Sequence, residues 1–187
     1  MVVIGKAVPD GSYQAYQQDK IKQVKISDYR GKWLILFFYP GDFTFVCPTE
    51  LHEVAGLYGD FQKAGAEIWG VSTDSVYVHK AWHDTSPTIK NVPYPLVADP
   101  TGSLSREFGV YVEDGGVALR GSFIIDPEGV LRAYEKHDLP IGRSAPELLR
   151  KLQAAIHVRE GKGEVCPASW KPGAKTLKPG LDLVGKL

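Results

Sequence analysis

The sequence predicts an α/β fold, and three observations carry the prediction: an apolar strand run at 33–39, a helical spacing after it, and a second strand pattern at Ala66–Ser72. Trp33-Leu34-Ile35-Leu36-Phe37-Phe38-Tyr39 is apolar without interruption, the mark of a strand covered on both faces. Pro40-Gly41-Asp42-Phe43-Thr44 then reads as a loop. Leu51, Val54, Ala55, Tyr58 and Phe61 recur at steps of three or four and predict one helix. Glu50 and Glu53 fall in its early turns, where the helix dipole favours negative charge. A helix is expected over 75–83 with Val78 and Trp82 on one face, then a short strand at Leu96–Ala98 and one or two helical turns over 103–108. Residues 117–126 and 130–136 read as strands around the turn Asp126-Pro127-Glu128-Gly129. Residues 146–159 give a last helix, with Leu148, Leu149, Leu152, Ala155 and Ile156 as its apolar stripe. The first thirty residues alternate weakly, as a small edge hairpin would, and Gly115-Gly116 reads as a turn between strands.

A βαβ start and a ββα end, with a cysteine at the first strand-to-helix junction, is the plan of a thioredoxin-like domain, expected over 1–160. From Gly161 the composition shifts to Gly, Pro and Lys, so 161–187 is expected to be an extended arm; it carries the second cysteine. Where such domains carry CxxC, this chain has Cys47-Pro48-Thr49-Glu50, so dithiol exchange within that turn is impossible.

A length of 187 residues suits one stable core. Twenty-two basic residues balance twenty-two acidic ones, which gives no basic excess for nucleic acid. The longest apolar run is too short to span a bilayer, and the first residues lack the features of a secretory signal. The expectation is a cytoplasmic protein without nucleic-acid or membrane partners. In a reducing compartment two cysteines point to catalysis or metal binding rather than to a structural disulfide. Cys47 and Cys166 lack metal-site spacing, and His79 and His83 stand at i, i+4 without a third ligand, so no metal and no cofactor are expected.

The thiolate is the nucleophilic form of a cysteine, and a free thiol with a pKa near ~8.5 offers little of it at neutral pH. The first turn of a helix and a nearby arginine both favour an anion. Lowering a thiol to about 6 raises the thiolate fraction roughly 30-fold, worth ~2 kcal/mol. Enzymes commonly supply at least ~8 kcal/mol. Most of the rate must therefore come from groups that align the substrate and stabilise developing charge. Thr44, three residues before Cys47, is placed to turn its hydroxyl toward the sulfur, and the rigid ring of Pro40 suits shielding it from water.

Residues 38–50 carry the pattern P-x-x-x-T-x-x-C over Pro40, Thr44 and Cys47. In this the chain resembles the typical 2-Cys peroxiredoxins, of the bacterial alkyl hydroperoxide reductase type. The likeness continues through Ser72-Thr73-Asp74, Asp99-Pro100-Thr101-Gly102, Gly142-Arg143 and Glu164-Val165-Cys166-Pro167-Ala168. The resemblance implies a thiol-dependent peroxidase for hydrogen peroxide and organic hydroperoxides. Cys47 would be the attacking cysteine, Pro40 and Thr44 would complete its loop, and Arg120 would contact thiolate and peroxide. Glu50 and Arg143 would orient Arg120. Cys166 would resolve the sulfenic acid from the partner subunit of a homodimer, although the residues by themselves leave an intrachain bond open. Because a disulfide needs Cα atoms within about 7 Å, the segments around both cysteines are expected to unwind locally.

The resemblance further implies a ring of five dimers, joined through the Phe43 loop and an apolar patch of Tyr77, Val78 and Trp82. The reductant is expected to be a disulfide-reductase flavoprotein or a thioredoxin-like donor. Over-oxidation-sensitive relatives carry a GGLG loop and a C-terminal Tyr-Phe helix; here the loop is Thr88-Ile89-Lys90-Asn91-Val92-Pro93-Tyr94 and the ending lacks Tyr-Phe, which predicts resistance. Two other classes compete: a Cys-His hydrolase, for which no histidine has a suitable motif, and a redox sensor or holdase built on the same oligomer.

Overall fold

The computed structural model describes residues 1–161 and 163–186; Lys162 and Leu187, both within the expected arm, lie outside the described residues. Internal contacts divide the chain into a unit over Met1–Ala145 and a second over Pro146–Leu187.

The first unit contains β1 (Ser12–Gln17), β2 (Lys20–Lys25), β3 (Trp33–Phe38), α1 (Cys47–Gly56), α2 (Tyr58–Lys63), β4 (Ala66–Ser72) and α3 (Val76–Thr85). It continues with β5 (Leu96–Ala98), α4 (Ser103–Glu107), β6 (Tyr111–Val112), β7 (Val117–Ala118), β8 (Arg120–Ile125) and β9 (Leu131–His137). Seven strands form one sheet in the order β2-β1-β5-β4-β3-β8-β9. All six residues of β3 are buried, as its uninterrupted apolar run requires. It pairs in parallel with β4 and antiparallel with β8, with Phe37 opposite Ser122 and Phe38 opposite Gly121.

The strand alternation sorts the sheet into two faces. Leu34, Leu36 and Phe38 share one core cluster with Phe123, Ile125, Phe108 and Trp69. The rings of Phe38, Phe108 and Phe123 meet at 4.9–5.6 Å within it. Phe37, Arg120 and Ser122, one residue out of phase, belong to the opposite face, where α1 presents Cys47, Glu50, Leu51 and Val54 as its buried stripe. Cys47 is thus enclosed because it shares helical spacing with core positions.

The structure corrects four local expectations. The helix expected through Phe61 breaks at Leu57, beside the weak helix former Gly56, although Tyr58 and Phe61 remain buried on α2. The strand expected over 117–126 splits at Leu119, whose N–H donates to the Val110 carbonyl; β7 pairs with β6 and β8 joins the main sheet. On α3 the buried face is Val76, His79 and Trp82. Tyr77 is 71% exposed while Trp82 is only 3% exposed, so these two do not form one exposed patch.

The fourth correction concerns the second unit, which takes in α5 (Ala145–Glu160) from Pro146 on and the residues after it. The arm does not simply extend. Val165 and Leu177 exchange backbone hydrogen bonds, so the chain doubles back on itself. Trp170 is buried, with its ring 4.8 Å from that of His157 and its carbonyl accepting from Arg150 Nη1 at 2.9 Å. One aromatic side chain supplies the apolar area that Gly and Pro do not.

Candidate active site

Cys47 is the first residue of α1 and is fully buried as a free thiol. Pro48 has no N–H, and the N–H groups of Thr49 and Glu50 both point to the Val46 carbonyl. The helix therefore contributes its dipole rather than a set of free donors. The full positive charge comes from Arg120, whose Nη1 lies 3.4 Å from Cys47 Sγ.

Arg120 is held at three points. Its Nε donates to the Leu139 carbonyl at 2.7 Å, and its Nη1 also donates to Glu50 Oε2 at 2.7 Å. Glu50 in turn accepts from Arg143, at 2.8 Å from the backbone N–H, 2.9 Å from Nε and 3.2 Å from Nη2. Arg143 Nη1 reaches the Gly121 carbonyl and Ser122 Oγ at 2.8 and 3.1 Å, and its guanidinium lies 3.4 Å over the Phe37 ring. All three charged side chains are at most 5% exposed. Burial by itself would raise the Glu50 carboxyl, but hydrogen bonds and charge from Arg143, with the charge of Arg120, hold it below its ordinary value. Two guanidinium cations against one carboxylate leave one positive charge, and an anionic sulfur at Cys47 makes the set neutral.

Sequence reasoning did not single out Phe37, Ser122 or the Leu139 carbonyl. The period-2 alternation of β8 places Arg120 and Ser122 on one face and was a usable signal; the Leu139 carbonyl left none. Thr44 stands differently from expectation. It is exposed, and its hydroxyl donates to the Gly41 carbonyl at 2.8 Å rather than to the sulfur. The left-handed backbone at Phe43, with φ of 56°, turns the hydroxyl back into the loop. Nor does Thr44 cap α1, whose N-cap is Val46. Pro40 is half-buried where β3 gives way to the loop.

The histidines go elsewhere: His79 to Asp42 at 2.7 Å, His83 to the Tyr16 hydroxyl at 3.3 Å, His137 to the Ile141 carbonyl at 3.3 Å, His157 to the Trp170 ring, while His52 is exposed. His79 and His83 thus serve different partners. In the second unit Cys166 is a free, half-buried thiol with Sγ 3.9 Å from the Ala154 carbonyl. Burial pushes this thiol up, Arg150 opposes the shift and Glu164 adds to it.

Comparisons with known proteins agree along the whole chain. Residues 4–134 match the AhpC/TSA family, and residues 155–185 match the C-terminal domain of 1-Cys peroxiredoxin, a stretch that here includes Cys166. Alkyl hydroperoxide reductase C of Amphibacillus xylanus is 49% identical over 188 residues, covering 100% of both chains. Its counterpart from Pseudomonas aeruginosa is 47% identical over 187 residues, again covering 100% of both. Among solved structures, AhpC of Enterococcus faecalis superposes with a TM-score of 0.86 at 47% identity, covering 89% of this chain and 100% of that one. The reduced 2-Cys peroxiredoxin of Plasmodium vivax gives 0.92 at 35% identity, covering 96% and 94%.

Proposed function

The chain belongs to the AhpC/TSA family, and on that premise we propose that it is a thiol-dependent peroxidase of the peroxiredoxin type whose attacking atom is Cys47 Sγ. The observation that carries the assignment is the 3.4 Å contact between Arg120 Nη1 and that sulfur. The thiolate attacks one oxygen of hydrogen peroxide or an organic hydroperoxide. An S–O bond forms as the O–O bond breaks, and the departing oxygen takes up a proton and leaves as water or an alcohol. Cys47 is oxidised by two electrons to a sulfenic acid. Arg120 touches the sulfur and stabilises charge spreading onto the peroxide oxygens. Glu50 and Arg143 fix its guanidinium from behind, and Thr44 exchanges its bond to Gly41 for one to the peroxide.

Cys166 then condenses with the sulfenic acid; an S–S bond forms and water leaves. A dithiol donor, either a disulfide-reductase flavoprotein or a thioredoxin-like protein, returns two electrons. Such a cycle needs a reducing compartment, which fits a cytoplasmic protein. We assign Cys166 of a second copy as the resolving thiol, in a homodimer. We take β9, the sheet edge opposite the lysine-bearing β2, as the edge that meets a second chain. Further assembly into a ring of five dimers rests on the exposed rings of Phe43 and Tyr77. Donor-dependent peroxide consumption by wild type, Cys47→Ser and Cys166→Ser tests the assignment. Turnover that survives Cys47→Ser would refute it.

A further inference from the structure

The loop that leads from β3 into Cys47 is gripped from outside mainly at Asp42, and His79 of α3 is part of that grip. Both side chains are completely buried, with His79 Nδ1 2.7 Å from Asp42 Oδ2. The other carboxylate oxygen accepts from the Tyr39 hydroxyl at 2.7 Å. The Asp42 backbone N–H donates to Asp74 Oδ2 at 2.9 Å, and the same oxygen accepts from Ser72 Oγ at 2.7 Å. One residue therefore ties the loop to the ends of β3 and β4 and to α3. Beyond it, Phe43 adopts a left-handed backbone that is unfavourable for a bulky residue, with its ring 6.1 Å from Trp82. Phe43, Thr44 and Phe45 are exposed, and the Thr44 hydroxyl is bonded within the loop itself.

The free nitrogen of His79 defines the hydrogen bond. Nε2 is buried without a polar partner, and an N–H there would be left unsatisfied. The proton therefore belongs on Nδ1, which donates to Asp42 Oδ2. Replacing a buried pair by apolar side chains of similar volume is often neutral or stabilising. What this pair supplies is a single position for the loop.

We propose that His79 is a positioning residue for the peroxide step: by fixing Asp42 it sets the start of the Cys47 loop, so that the sulfur meets Arg120 in reacting geometry. The proposal rests on the peroxidase reading of Cys47. Small misplacements at a reacting centre cost up to about 100-fold in rate.

The test compares His79→Leu with His79→Asn, whose amide nitrogen takes the place of Nδ1. Reduced protein is mixed with hydrogen peroxide and followed by tryptophan fluorescence, and amide exchange is measured across residues 41–46. His79→Leu should lower the rate constant for peroxide by roughly 10- to 100-fold and speed exchange in the loop, without slowing the later formation of the disulfide. His79→Asn should react within about threefold of wild type. A folded His79→Leu that reacts within about twofold of wild type overturns the proposal, as does an Asn variant as slow as the Leu variant. If His79→Leu does not fold, Asp42→Ala carries the same test, because it removes the acceptor that His79 and Tyr39 share; the same loss is expected, and an unchanged rate overturns the proposal. A wild type inert to peroxide overturns the peroxidase reading and this inference together.

Discussion

The Nη1 of Arg120 lies 3.4 Å from the Sγ of Cys47, although the two residues are 73 positions apart in the chain. That contact depends on the fold at both ends. Cys47 is brought in by the buried stripe of α1, and Arg120 by the face of β8 that also carries Ser122. Since Glu50 binds the same nitrogen and Arg143 binds Glu50, the guanidinium has little freedom to drift away from the sulfur.

Removing that donor should cost rate. Arg120→Met is expected to lower the rate constant for hydrogen peroxide by about 100- to 1,000-fold, the usual cost of losing one donor to developing charge. Arg120→Lys should recover only part of this, because one ammonium nitrogen cannot take the places of both Nε, which serves Leu139, and Nη1, which serves Glu50 and the sulfur. Stopped-flow measurement of the first oxidation checks both variants.

Glu50→Gln should act on stability. It leaves two buried guanidinium groups without their carboxylate, and breaking such a pair from one side costs about 3–5 kcal/mol. Urea unfolding of the reduced protein measures the loss, and an unchanged midpoint would refute it.

The same carboxyl sets a direction for pH. Burial alone would raise Glu50, but Arg143 and Arg120 more than offset that, so its folded value lies below the ordinary 4.5. Its contribution is then fully present above pH 4.5 and is lost as the pH falls through the folded value. Asp126 is shifted the same way: burial raises it, while hydrogen bonds from Val130 and Arg132 outweigh that. Wild-type melting temperature should therefore decline on acidification below pH 4.5, and the Glu50→Gln profile should be flatter.

Cys166→Ser should stop donor-dependent turnover while leaving the first oxidation at the wild-type rate. In wild type, one equivalent of peroxide should yield a dimer on a non-reducing gel, and excess peroxide should produce little sulfinic acid at Cys47. An intrachain disulfide would keep the oxidised protein monomeric on that gel and would contradict the intersubunit assignment.

Much of this architecture was legible in the sequence because it follows from burial patterns. The run through Phe38 could only be a central strand, and the helix starting at Cys47 showed its stripe at Leu51 and Val54. What stayed hidden depended on tertiary partners. Glu50 reads as a dipole-favoured acid in a first turn, yet it is buried because Arg120 and Arg143, far away in sequence, close over it. His79 reads only as half of an i, i+4 pair with His83, but lies on the inner face of α3 against Asp42. Thr44 was found by its spacing from Cys47, whereas the direction of its hydroxyl follows from the backbone at Phe43, where no glycine announced a left-handed turn.

The central claim is that peroxide is reduced at Cys47. The most direct test treats reduced Cys166→Ser with one equivalent of hydrogen peroxide, traps the product with a sulfenic-acid reagent and locates it by peptide mass spectrometry. The account predicts a single trapped site, on the peptide containing Cys47, formed as the peroxide disappears and absent when Cys47 is also replaced by Ser. Peroxide consumed with Cys47 still present as a free thiol, or trapping at any other residue, would contradict it.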